Sequence, residues 1–410
     1  MFPGQQYQYQ QQQENGRNQY FQKTPQYFQQ SQQEFYQNGR VNGYQRPSMP
    51  PPAEQLSQHH IQQSAQTQSF YHQDNSGENV QFHTPQQVQA PPSNQPQSFG
   101  VNGYSYQYSN CSGKKKALLV GINYIGTSNQ LRGCINDVHN VRNFLIQNGY
   151  DEGDIVVLTD DQTQRIKVPF RENIIKAIGW LVNGAEPNDS LFFHYSGHGS
   201  QVKDVDGDED DGYDETIVPL DFETEGQIID DELHDRLVKP LKPGVRLTAL
   251  FDSCHSGSVL DLPYMYSTKG ILKEPNLASE VGEGLLDSAI SYLKGDNAGV
   301  MRGLKGLLTL ATSGGPNQQA FQKTRQTKTA PCDAIMFSGS KDDQTSADAS
   351  EDGVPTGAMS YAFLKVMTQT RQQTYLSLLQ NMRQVMTGKY QQKPQLSASH
   401  PIDVNLQFVF

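Results

Sequence analysis

The residue types that can do covalent chemistry in this chain are a thiol and an imidazole, each set among glycines. Cys254 lies in Asp252-Ser253-Cys254-His255-Ser256-Gly257, and His198 lies in Ser196-Gly197-His198-Gly199-Ser200, 56 residues earlier. A thiol attacks a carbonyl at neutral pH only when a neighbouring base or a depressed pKa supplies the thiolate. An imidazole at an adjacent strand end can be that base. Glycine on either side of His198 lets a substrate backbone come close. A lone buried cysteine after a strand is ordinarily an inert core residue; two glycine-flanked motifs at matching strand ends argue against that. Cys254 is therefore the expected nucleophile of a cysteine peptidase and His198 its general base. His255 is the weaker base, because successive residues leaving a strand point to opposite faces.

Both motifs follow apolar runs that must position them. Residues 116–122, 154–158, 190–195, 245–251 and 334–338 read as buried strands, and 404–410 closes the chain on a further apolar run. Helical periods fall at 135–148, 169–183, 231–241, 357–369 and 374–390. Apolar strands alternating with helices imply an α/β fold with a mostly parallel sheet covered on both faces. Such sheets carry their sites beyond the carboxyl ends of the strands. The period of two then adds two residues, since Ser196 precedes His198 by two and Asp252 precedes Cys254 by two. Each shares a strand face with a member of the dyad, and together they form an acidic pocket floor suited to Arg or Lys before the scissile bond. Asp252 has a competing reading as a turn or N-cap residue.

Composition divides the rest. Residues 1 to about 110 are rich in Gln, Tyr, Asn, Ser and Pro and nearly devoid of Ile, Leu and Val. Such a segment buries too little apolar surface to offset its ordering entropy, so 1–113 is expected to be a disordered prodomain and 114–410 the folded domain. A Gly-, Ser- and Lys-rich stretch over 262–332 reads as a long excursion from that domain. The first 110 residues carry −1 of the net −11, which leaves an acidic body. This argues against nucleic acid and anionic membrane as partners. No secretory signal and no apolar run of membrane-spanning length is apparent. Cys111, Cys134, Cys254 and Cys332 form no CxxC pair, so free thiols in the cytoplasm or nucleus are expected.

Two further patterns invite a metal. His194 and His198 are spaced H-x-x-x-H, but on a strand and without the following Glu that a zinc helix needs; His194 reads as a core histidine. Asp204, Asp206, Asp208, Glu209, Asp210, Asp211, Asp214 and Glu215 crowd one loop, and Asp230-Asp231 opens a helix. An EF-hand register beginning at Asp206 fails, with Asp211 at its sixth position and Ile217 at its twelfth. The carboxylates suit a Ca²⁺ site and equally a solvated acidic loop with a capped helix.

Three segments together are specific: His194-Tyr195-Ser196-Gly197-His198-Gly199-Ser200, Asp252-Ser253-Cys254-His255-Ser256-Gly257, and Gly339 to Ala349 (GSKDDQTSADA). With the Gln-rich leader they resemble the type I metacaspases of fungi over about 115–410. The interval between His198 and Cys254 is also close to the roughly 50 residues of caspases. The resemblance implies a caspase-like three-layer sandwich and Ca²⁺-dependent cleavage after Arg or Lys. It implies oxyanion stabilisation near the Gly199 and Cys254 amides, a basic-residue pocket of Cys134, Asp137, Ser196 and Asp252, and calcium ligands at Asp214, Asp230, Asp231 and Asp261. Self-cleavage in the loop after the nucleophile strand makes Lys323, Arg325 and Lys328 the processing candidates. A monomer is expected, with family roles in programmed cell death, stress response and protein quality control. Two rivals stand beside this reading. A caspase-type specificity for Asp would require Arg where Asp137 and Asp252 stand. An adaptor would instead work through its Gln-rich tail on aggregated proteins, without catalysis.

Overall fold

The computed structural model describes residues 67–73, 79–85, 87–99, 104–205, 209, 212–254, 256–268, 270, 324, 327–339, 348–351, 354–390 and 392–410. In chain order the elements before the sheet are β1 (Thr67–Gln73), β2 (Asn79–Pro85), β3 (Gln97–Ser98) and β4 (Ser105–Tyr106). The first half of the main body runs β5 (Lys115–Gly121), α1 (Cys134–Gln147), β6 (Ile155–Thr159), α2 (Arg171–Val182) and β7 (Ser190–Ser196). Then come β8 (Gly199–Lys203), β9 (Tyr213–Ile217), α3 (Phe222–Glu225), β10 (Ile228–Ile229), α4 (Asp230–Leu237) and β11 (Arg246–Asp252). The last part holds β12 (Tyr264–Tyr266), β13 (Asp333–Ser338), β14 (Asp348–Glu351), β15 (Val354–Gly357), α5 (Ala358–Gln369), α6 (Tyr375–Met386) and β16 (Gln395–Ala398).

One seven-stranded sheet organises the body, in the order β12-β16-β13-β11-β7-β5-β6. From β13 to β6 its neighbours are parallel, and β16 and β12 close one side antiparallel. Strand side chains alternate between two cores, as a sheet buried on both faces requires. Ala117, Leu119, Phe192 and Leu250 join the core beneath α1, α5 and α6. Leu118, Val120, Phe193 and Phe251 join the core beneath α2 and α4. The three-layer α/β arrangement expected from the sequence is thus present, with helices on both faces.

At the opposite end from the expected site, Arg246 and Asp333 face each other across β11 and β13. Both are wholly buried and paired at 2.7 Å. Arg246 also donates to the Val409 carbonyl, and Asp333 accepts from the Ser109 N–H at 2.8 Å.

One expectation is corrected. The boundary at 113 falls inside packed structure, because Phe82, Phe99, Tyr106 and Tyr108 belong to the core beneath α5 and α6. Asn381 of α6 clamps β2, accepting from the His83 N–H at 2.6 Å and donating to its carbonyl at 2.9 Å. Widely spaced aromatic rings supply enough burial to order a tract whose average composition is polar. The apolar run at 404–410 follows β16, the last strand of the sheet, and its Leu406 and Phe408 plug the core from an irregular tail. Most of the expected prodomain and most of the 262–332 excursion lie outside the described residues. Among the described residues no helix is long and apolar enough to cross a membrane.

Candidate active site

The ends of β7 and β11 lie side by side, with Ser196 directly opposite Asp252. Beyond them the chains stay close: the Gly197 N–H donates to the Asp252 carbonyl at 3.3 Å. Gly199 packs so tightly on the next turn that an added Cβ would stand 1.9 Å from the Cys254 carbonyl oxygen. Only glycine fits that approach. The Val218 N–H donates to the His198 carbonyl, so Gly199, one residue on, occupies a non-hydrogen-bonded position opposite Ile217. Its N–H therefore points away from β9.

His198 is 5% exposed and Cys254 8% exposed. The imidazole is held on three sides. Its ring lies 4.5 Å from that of Tyr124, whose hydroxyl accepts from the His198 N–H. The Tyr195 hydroxyl donates to the His198 carbonyl. Nε2 lies 2.7 Å from the carbonyl oxygen of Asn129. A carbonyl only accepts, so Nε2 carries the proton and Nδ1 of the neutral ring is the basic nitrogen. A cleft of about 390 Å³ opens beside this histidine between Thr127–Asn129 and Leu220–Thr224.

One step deeper, the carboxylates of Asp137 and Asp252 come together. The Ser196 hydroxyl donates to Asp137 Oδ2 at 2.7 Å. Asp137 Oδ1 accepts from the Thr356 hydroxyl at 2.6 Å and from the Gly357 N–H at 2.9 Å. Asp252 Oδ2 accepts from the Ser360 N–H at 2.8 Å, whereas its Oδ1 is buried with no hydrogen-bond partner. Burial, and after it the charge of Asp137, push Asp252 up to about 7. Cys134 sits one helical turn before Asp137 on α1, its N–H donating to the Asn123 side chain. His194 lies in the core, bonded to the Ser360 hydroxyl, and burial lowers it to about 3.

A second acidic group lies on the other side of the β8–β9 hairpin. Asp230 is the first residue of α4, its Oδ1 accepting from the Asp231 N–H and its Oδ2 from the Glu215 N–H. Oxygens of Glu209, Asp230 and Asp261 lie within 4.8 Å of one another. Burial, then the charge of Asp261, raises both Asp230 and Glu209 well above the usual carboxylate range. Asp214, on β9, adds its field to Asp230. Asp261 adopts φ 46°, and its buried carboxylate shares a side-chain hydrogen bond with Glu209. Lys328 brings its ammonium into the same group, paired with Asp231 Oδ1 and with Asp261 Oδ2 at 2.5 Å.

The family model for the metacaspase, peptidase C14 domain matches residues 115–263. Metacaspase-1 of Lodderomyces elongisporus is 59% identical over 382 residues, covering 91% of this chain and 83% of that protein. Metacaspase-1 of Saccharomyces cerevisiae is 57% identical over 369 residues, covering 89% and 84%. This chain belongs to the metacaspases. It is thereby a member of a cysteine peptidase family. The solved Caspase-1 from Spodoptera frugiperda is 10% identical, with a TM-score of 0.37 over 71% of this chain and 92% of that one.

In this metacaspase the sequence-predicted pocket residues Asp137, Ser196 and Asp252 meet, with Cys134 on the adjoining turn. Asp230, Asp231 and Asp261 also meet, with Asp214 beside them. Three kinds of residue escaped the sequence reading. Asn129 contributes through its backbone, which carries no residue-type signal. Thr356, Gly357 and Ser360 reach the pocket carboxylates from more than 100 residues away. Glu209 was indistinguishable from its neighbours in a uniformly acidic loop. Lys328, a processing candidate, is 3% exposed and tied to two acids. Lys323, Arg325 and His255 lie outside the described residues. Cys111, Cys134, Cys254 and Cys332 are free thiols, all buried.

Proposed function

We propose that this metacaspase is a Ca²⁺-dependent cysteine endopeptidase that cleaves after Arg or Lys. The observation that carries the specificity is the Asp137–Asp252 pair at the foot of the strand bearing Cys254. Asp252 Oδ1, buried and without a donor, is an acceptor that a guanidinium or ammonium can satisfy. An Asp side chain entering there would face two carboxylates.

His198 takes the Cys254 proton on Nδ1, the nitrogen left basic by the Nε2–H bond to Asn129. The thiolate adds to the carbonyl carbon that follows the Arg or Lys side chain, and amides at Gly199 and Cys254 receive the developing oxyanion. Collapse breaks the peptide C–N bond, with His198 returning its proton to the leaving amine. The thioester is then hydrolysed by water that His198 deprotonates, which regenerates the thiol.

Asp214, Asp230, Asp231 and Asp261 are the proposed cation ligands, and Glu209 joins them. A set of carboxylate oxygens from Glu209, Asp230 and Asp261 within 4.8 Å of one another fits a hard cation such as Ca²⁺. A bound ion would supply charge neutralisation there and order the loops that carry the ligands. Arg-, Lys- and Asp-ended fluorogenic peptides, assayed with and without Ca²⁺ on the parent and Cys254→Ala chains, test the proposal. Chelator-insensitive activity or a preference for Asp would overturn it.

A further inference from the structure

The ammonium of Lys328 stands among the carboxylates just assigned to a cation. Its side chain is 4% exposed, and both partners are buried. Around this positive charge lie Asp231, Asp261, Glu209 and Asp230, with Asp214 and Glu215 contributing to the field at Asp230. Among the described residues, the carboxylates gathered here outnumber the one charge of the ammonium that two of them bind.

We propose that Lys328 is a tethered counter-ion that Ca²⁺ displaces, and that its displacement exposes the Lys328 side chain to peptidases. This rests on the calcium reading above. A divalent ion and an ammonium cannot both use Asp231 and Asp261, because the two cations would repel at contact distance in a buried site. The ion adds charge that the acids lack, and lysine is a compact point charge on a flexible stem, suited to exchange. The stem leaves a backbone anchored a few residues on, where the Ala330 N–H bonds the Ser399 carbonyl and β13 begins at Asp333. Expulsion of the side chain therefore loosens the stretch just before that anchor. A lysine held by Asp231 and Asp261 cannot enter the Asp137–Asp252 pocket. Once released it has the chemistry that pocket selects. By reciprocity, removing the lysine must tighten the ion, by on the order of 10-fold for a coupling of ordinary size.

The test uses the full chain carrying Cys254→Ala, which cannot cut itself. Amine acetylation at Lys328, quantified by peptide mass spectrometry, is expected to be slow without the ion. It should rise on the order of 10-fold as Ca²⁺ saturates binding followed by calorimetry. Adding Lys328→Met should tighten Ca²⁺ by a similar factor. If Ca²⁺ binds but Lys328 labelling does not change, the displacement proposal is overturned and the calcium reading survives. If Ca²⁺ does not bind the Cys254→Ala chain, both fall. Should Lys328→Met fail to fold, the labelling arm decides alone, since it reads the natural side chain.

Discussion

Nε2 of His198 and the backbone carbonyl of Asn129 lie 2.7 Å apart, and this one contact selects the tautomer of the proposed base. Because the acceptor is main chain, Asn129→Ala should leave kcat within about twofold of the parent. His198→Ala should lower it by roughly 10²–10⁴-fold, the usual worth of general acid–base assistance. Steady-state kinetics on an Arg-ended peptide distinguishes the two. A large loss in Asn129→Ala would mean that the side chain, not the carbonyl, orients the ring.

Asp252 predicts a pH profile. Burial and the neighbouring Asp137 hold it at about 7, so its charge, and with it recognition of Arg or Lys, should grow as pH rises through 7. Asp137→Asn removes the like charge and should move that shoulder in kcat/KM to lower pH, while weakening recognition through the loss of one carboxylate. The same shift has a stability consequence. Between the ordinary value of 3.8 and about 7 the folded chain keeps a proton that the unfolded chain releases. Stability from this site therefore falls as pH rises across that window. Asp252→Asn should raise Tm relative to the parent at pH 8 but not at pH 4, as read by calorimetry.

Gly199 predicts a loss of rate from a change far smaller than removal of a reacting group. A methyl group there would meet the Cys254 carbonyl oxygen at 1.9 Å, forcing the two strand ends apart. A displacement of about 1 Å at the reacting groups costs on the order of 10²-fold in rate. Gly199→Ala should show that loss in kcat together with a lowered urea midpoint, because the atom it meets is main chain and cannot step aside cheaply.

The Arg246–Asp333 pair predicts the reverse, a fold defect remote from the site. Removing the guanidinium from the buried Asp333, which keeps the Ser109 N–H and His400 beside it, should cost about 3 kcal/mol. Urea unfolding of Arg246→Met measures it; the Asp137–Asp252 pocket at the far ends of the strands gives no reason for KM to change.

What the sequence displayed well was whatever follows a period. Alternation along 190–196 and 246–252 pointed to Ser196 and Asp252, and the register sets these two directly opposite each other. Cys134 and Asp137 came from the resemblance alone, and α1 carries them one turn apart. Contacts made by backbone, such as Asn129, or across large sequence separations, such as Gly357 with Asp137, have no periodic signature. Lys328 shows a different limit: a basic residue in a Lys-rich loop reads as exposed, and its burial depends on two acids supplied by other elements. Phe82 and Tyr108 were hidden by averaging, since sparse rings in a polar tract vanish from composition yet dominate packing area.

The grip of Asn381 on His83 sets a limit on trimming. Any cut that shortens the chain from its beginning leaves the catalytic body sealed only if it falls ahead of β2. A cut at 113, where composition alone would place the junction, would strip Phe82, Phe99, Tyr106 and Tyr108 from the flank of α6 and open a greasy wound on an otherwise finished enzyme. The leader and the body are thus not two parts joined end to end, because the last stretch of the one is a wall of the other.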